Sequence, residues 1–111
     1  MKNNHILRLE SDIKRILSDV IQNELKKDVG LLTITDTDLT NDYSYLTVYY
    51  TVLNARDKKK AKEGLEDSKK FLRGAIASRV TMKRIPELVF KYDETYENAK
   101  RIEELLEQIK K

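Results

Sequence analysis

Between residues 58 and 84 the chain sets ten cations: Lys58, Lys59, Lys60, Lys62, Lys69, Lys70, Arg73, Arg79, Lys83 and Arg84. Ammonium and guanidinium groups donate hydrogen bonds and neutralise phosphate, and their natural chemistry is the holding of a polyanion. Lys58, Lys62, Lys69 and Arg73 are separated by steps of four, seven and four, which places them on one face of a helix. Such a row can neutralise several phosphates at once. Lys58, Lys59, Lys60 and Lys62 stand at the start of the segment, where simple solvation competes with binding. Glu63, Glu66 and Asp67 lie among the cations and temper the field. For Arg73 an internal ion pair with Glu66 or Asp67 is the competing role.

Covalent and acid–base chemistry has few candidates. His5 is the only histidine; it lies close to the start and reads as a flexible surface residue. There is no cysteine, hence no thiolate nucleophile, disulfide or thiolate metal site. Asp36, Asp38 and Asp42 offer oxygens to a hard cation, but their spacing matches no calcium loop, and they read as turn residues. Gly30, Gly64 and Gly74 are the only glycines, too few and too scattered for a phosphate-cradling or dinucleotide loop. The expectation is a protein that is not an enzyme and carries no cofactor or metal.

The net charge of +3 conceals an asymmetry. Residues 1–30 carry +1, residues 31–55 carry −3, residues 56–91 carry +7 and residues 92–111 carry −2. One basic third in a neutral-to-acidic chain fits oriented binding to a polyanion. It also fits a solvated helix laced with ion pairs. Tyr43, Tyr45 and Tyr49 offer faces for stacking bases, yet no lysine or arginine lies between residues 31 and 55. These tyrosines therefore read as strand residues.

The elements that position the cations follow from periodicity. Residues 6–26 place Leu9, Ile13, Ile16, Leu17, Val20, Ile21 and Leu25 on one helical stripe. Gly30 falls where a turn is needed, and Leu31–Thr35 reads as a strand. Asp36–Asp42 reads as a polar connection. Tyr43–Leu53 is the clearest strand, with Leu46, Val48, Tyr50 and Val52 on one face. The two strands predict an antiparallel hairpin with one face on the core.

Residues 57–84 return to helical spacing, with Asp57 as N-cap. Their inner stripe is Ala61, Leu65, Ser68, Leu72, Ala75, Ile76 and Val80. Gly64 and Gly74 each weaken this helix by roughly 1 kcal/mol relative to alanine, so a bend is expected near one of them. Ile85 precedes Pro86 and must be extended, which predicts the helix end. Leu88–Tyr92 predicts a third strand, reached by a crossover that allows parallel pairing. Tyr96–Ile109 predicts a last amphipathic helix with Ala99, Ile102, Leu105, Leu106 and Ile109 inward.

The expected fold is a single α+β domain over residues 1–111, with helices on one sheet face. It is expected to be a monomer, because each apolar stripe has an element to cover it. No segment approaches the roughly 20 apolar residues of a membrane helix. No signal peptide is visible either, so the expected location is cytoplasmic.

Several short stretches carry a family resemblance in their order and spacing. They are Phe71-Leu72-Arg73, Pro86-Glu87-Leu88-Val89-Phe90 with Asp93, and Arg101-Ile102-Glu103. In the hairpin they are Leu32-Thr33-Ile34-Thr35-Asp36 and Asp42 with Val48-Tyr49. From about Arg8 to Ile109 the chain resembles the ribosome-binding factor A family. The resemblance implies a KH-type fold, type II-like, in the order αββααβ, without the usual Gly-x-x-Gly loop and with an additional C-terminal helix. It implies binding to the free small ribosomal subunit and its ribosomal RNA, with ribosomal proteins as further contacts. It also implies a role in late processing or folding of that RNA, most needed in the cold.

Two departures bear on this. Where the family has Ala-x-Gly before the phenylalanine, Ser68-Lys69-Lys70 stands here, so the inter-helix kink is expected to be gentler or to move toward Gly74. The family's Asp-Pro-Arg before the first strand is replaced by Lys27-Asp28-Val29-Gly30. The runner-up function is a protein-interaction module, working through the hairpin edge or the last helix without direct RNA contact.

Overall fold

Asn3 starts the first helix by accepting a hydrogen bond from the Ile6 N–H at 2.9 Å, a side-chain cap that satisfies an orphan donor. The computed structural model describes residues 2–95, and the predicted last helix, Tyr96–Ile109, lies outside the described residues. Helix α1 spans Asn4–Asn23 and buries Ile6, Leu9, Ile13, Leu17, Val20 and Ile21. Ile16 and Leu25 pack against that core from its margin. His5 stands exposed in the first turn of α1, so it is helical rather than part of a loose terminus.

After α1 the chain turns at Gly30, whose φ of +69° suits glycine and whose N–H donates to Asp28 Oδ1 at 2.9 Å. Strand β1 spans Leu32–Leu39 and pairs antiparallel with β2, Tyr45–Val52. The first strand therefore runs four residues beyond the predicted end at Thr35. A bulge explains the difference. The register slips between Ile34 and Asp36, so the inward positions change from Ile34 to Thr37 and Leu39, all buried. One extra residue inverts the alternation that a period of two would show. Glu10 of α1 secures this stretch. It is buried, and its Oε2 accepts from the Leu39 N–H at 2.7 Å. Lys2 bridges Glu10 and Asp38.

A 3-10 turn, Ala55–Asp57, leads into α2, Lys58–Asp67, and α3, Lys69–Arg79. Asp57 occupies the N-cap position without making a side-chain cap bond. The helix breaks at Ser68, at neither glycine. Ser68 has φ −102° and ψ 4°, and its N–H donates to Leu65 O at 3.1 Å, closing α2 in a tight turn. The kink survives the loss of the family's glycine because these angles need none. Gly64 has another reason to be there: a Cβ on it would stand 2.6 Å from Val29 Cγ1.

The helix also ends at Arg79, five residues before the predicted Arg84. Val80 is already extended at φ −130° and ψ 135°, so Thr81–Arg84 lead to Pro86 outside any helix. Strand β3, Glu87–Tyr92, then pairs parallel with β2 and forms one edge of a sheet ordered β1-β2-β3. Leu46, Val48, Tyr50 and Leu88 meet the helices in one core with Ala61, Leu65, Leu72 and Ile76. Each valine, leucine or isoleucine among them contributes about 1.5–3 kcal/mol when fully buried.

Candidate nucleic-acid interface

The break at Ser68 cuts the predicted row of cations, yet three of its four members keep a common line along β3. Lys58 Nζ lies 4.5 Å from the ring centre of Tyr92, and Lys69 Nζ lies 6.0 Å from that of Phe90. Arg73 reaches the start of the strand. Its Nε donates to Pro86 O and its second guanidinium nitrogen to Ile85 O, both at 3.1 Å. A remaining nitrogen lies 3.5 Å from the Glu87 carboxylate. The planar fork of arginine suits two successive carbonyls in a way no ammonium does. Arg73 thus locks the proline turn to α3. The two carboxylates expected to compete for it are engaged elsewhere: Glu66 with Lys69 at 2.8 Å, Asp67 with Lys27 at 4.0 Å.

Two further cations also turn inward on the protein's own acids. Arg79 contacts Glu24 at 2.7 Å and Asp19 at 3.5 Å, fixing the end of α3 to α1. Its hydrogen bond to Glu24 pushes its pKa above the usual value. Lys60 contacts Asp28 at 3.1 Å and Asp57 at 3.5 Å, and the hydrogen bond to Asp28 raises its pKa. Asp28 is lowered in turn, first by the hydrogen bond from the Gly30 N–H and then by Lys60.

Lys59, Lys62, Lys70, Lys83 and Arg84 are the remainder. All five are exposed, and among the described residues none makes an ion pair or side-chain hydrogen bond. They sit on α2, on the first turn of α3 and in the bend between α3 and β3. The ten predicted cations therefore divide by geometry into those that hold the fold and those that face water.

Sequence reasoning missed Lys26 and Lys27. They follow α1, far from the basic third in sequence, but line a cleft of about 250 Å³ with Leu25, Ser68 and Phe71 at the helix break. Their adjacency to the end of an amphipathic helix was the available signal. The hairpin keeps its acidic character. Asp42 accepts from the Ser44 N–H at 3.0 Å and from Thr40 Oγ1 at 2.9 Å. Hydrogen bonds from Ser44 and then Thr40 lower its pKa to about 2. It is a turn residue, as its spacing predicts. Tyr45 is exposed there, while Tyr50 and Tyr92 meet edge to face at 5.6 Å on the core side.

A family model described as ribosome-binding factor A matches residues 5–106. A ribosome-binding factor A from Macrococcus caseolyticus is 38% identical over 104 residues, covering 92% of this chain and 91% of its own length. One from Staphylococcus saprophyticus is 40% identical over 106 residues, covering 94% and 93%. The crystal structure of ribosome-binding factor A from Thermus thermophilus superposes with a TM-score of 0.70 at 32% identity, covering 78% of this chain and 93% of that one. A homology model of the Thermus thermophilus factor, fitted into a cryo-EM map of a 30S complex, gives 0.64 at 34% identity, with coverages of 76% and 90%. The fold, the order of its elements and these likenesses agree: the chain belongs to the ribosome-binding factor A family.

Proposed function

We propose that this protein is a non-catalytic, RNA-binding assembly factor with a KH-type fold. It binds the free small ribosomal subunit and assists late maturation of its ribosomal RNA. The observation that carries this reading is the set of exposed cations Lys59, Lys62, Lys70, Lys83 and Arg84, unpaired among the described residues. The likeness to a Thermus thermophilus factor fitted into a 30S complex supports the choice of subunit. The work of such a factor is differential binding. It shifts an RNA toward one conformation only by binding that conformation better than its competitors. No bond is made or broken, so no reactive group is required.

Salt dependence tests the reading. Charge reversal of Lys62, Lys70, Lys83 and Arg84 should flatten the slope of log affinity against log salt by roughly 0.7–0.9 for each phosphate no longer neutralised. The assay is binding to free small subunits and to their RNA. An unchanged slope would transfer the function to the runner-up, a protein contact. For that reading the exposed neighbours Leu31 and Leu53, joined by a 2.9 Å backbone hydrogen bond, are the available apolar surface.

A further inference from the structure

Among the described residues five large hydrophobic side chains are exposed: Leu7, Leu31, Tyr45, Leu53 and Phe71. Singly, an exposed apolar residue signifies nothing. Phe71 differs in its surroundings. It is 49% exposed, lies in the first turn of α3 and forms one wall of the cleft at the helix break. Leu25 supports that cleft from the margin of the core, and buried Ser68 lines it as well. Tyr45, the other exposed aromatic ring, belongs to the hairpin of Asp36, Asp38 and Asp42 and has no cation beside it in sequence.

The charge around Phe71 is positive once internal pairs are counted. Two acids line the cleft, Glu24 and Asp67. Glu24 is tied to Arg79 at 2.7 Å, and Asp67 lies 4.0 Å from Lys27. Lys26 lines the cleft and Lys70 precedes Phe71 on α3; both are exposed and make no ion pair among the described residues. Phe71, Ala75 and Arg79 follow at steps of four on one face of α3. Arg79 ties the far end of that face to Asp19 and Glu24, and at its near end Phe71 shares a cleft with Leu25.

An exposed aromatic face with unpaired cations nearby matches one ligand chemistry: a nucleobase stacked on the ring, its strand's phosphates held by those cations. We propose that Phe71 is a stacking platform for an unpaired base of single-stranded RNA, with Lys26 and Lys70 as its flanking phosphate contacts. This rests on the reading above that the partner is RNA, and it specifies the RNA as unpaired at this point. Every base has a π-face, so the platform tolerates different sequences.

The test uses the full chain and a short single-stranded RNA carrying 2-aminopurine, whose fluorescence is quenched by stacking. Phe71→Leu keeps an apolar side chain on Leu25 but removes the ring. It should weaken binding about 5-fold or more, abolish the protein-dependent quench and leave the salt slope unchanged. Phe71→Trp should retain both affinity and quench. Thermal melts of both variants verify the fold. If Phe71→Leu binds as the parent does while reversal of Lys62 and Lys83 weakens binding, the platform is wrong and the RNA reading stands. If neither change affects binding, both fall. If Phe71→Trp loses as much as Phe71→Leu, the residue acts through packing and the platform is again overturned.

Discussion

Replacing Arg73 with methionine separates a structural arginine from a phosphate ligand. Methionine keeps much of the apolar stem and removes the fork. The fork makes two hydrogen bonds of 3.1 Å to Ile85 O and Pro86 O. Hydrogen bonds to charged groups contribute about 1.5–3 kcal/mol each. The Arg73 side chain is 37% exposed, so solvent competes and the lower part of that range applies to the pair together. The contact with Glu87, whose side chain is 60% exposed, adds close to nothing. Pro86 is fully buried, and an acceptor left without its donor there costs about 1–3 kcal/mol by an independent route. Both considerations meet near 2 kcal/mol, or about 8 °C in the melting midpoint of a domain of this size. Arg73→Lys should lose about half as much, since one ammonium replaces a planar fork. Urea titration at constant slope is the assay. The reasoning is refuted if Arg73→Met unfolds at the parent's midpoint while its RNA salt slope falls by about 0.7–0.9.

Gly64→Ala should destabilise by about 1–2 kcal/mol, because the new Cβ meets Val29 Cγ1 at 2.6 Å and overpacking exceeds the gain in helix propensity. Gly74→Ala, with nothing within 4 Å, should stabilise by up to about 1 kcal/mol; denaturant titrations compare the two. Glu10→Ala should cost about 2 kcal/mol or more in the same assay, since it removes the acceptor of the Leu39 N–H and the anchor of Lys2. Asp42 is lowered from its ordinary 3.8 to about 2. A depressed carboxyl stabilises fully above the unfolded value, and that stabilisation is lost as pH falls through the folded one. The midpoint advantage of the parent over Asp42→Asn should therefore shrink between about pH 4 and pH 2; an advantage constant across that window would show that the turn bonds do not titrate with Asp42.

The fold was legible wherever one period ran without interruption. The alternation from Leu46 to Val52 places Leu46, Val48, Tyr50 and Val52 in the core as the structure does. The α1 stripe finds Leu9, Ile13, Leu17, Val20 and Ile21, missing buried Ile6 and including Ile16 and Leu25, which lie at the margin. Legibility failed where a single backbone irregularity intervened. The slip between Ile34 and Asp36 makes a strand of Asp36, Thr37 and Asp38, residues that resemble a turn, because the inward face changes parity there. The break at Ser68 is likewise a matter of two dihedral angles in a buried residue. Propensity pointed to glycine, but Gly64 is present for the close approach of Val29 and Gly74 faces open space. At the far end, proline marks a limit beyond which no helix can run. The helix ends earlier, at Val80, whose backbone is already extended.

The candidate site was legible as a quantity and not as a surface. Counting charge along the chain finds the basic third correctly, but a cation's availability depends on what tertiary structure brings to it. Arg79 meets Glu24, 55 positions earlier, and Lys60 meets Asp28, 32 positions earlier. Arg73 goes to backbone carbonyls, which no charge count includes. Internal contacts thus engage five of the ten cations, Lys58, Lys60, Lys69, Arg73 and Arg79, and take them out of the set facing water unengaged. Lys26 enters from outside the basic third because the helix break brings it to Phe71. An engaged cation must surrender its partner before it can meet a phosphate, while an unengaged one surrenders only water. Affinity for a polyanion should therefore follow the second group even though both groups read identically in sequence.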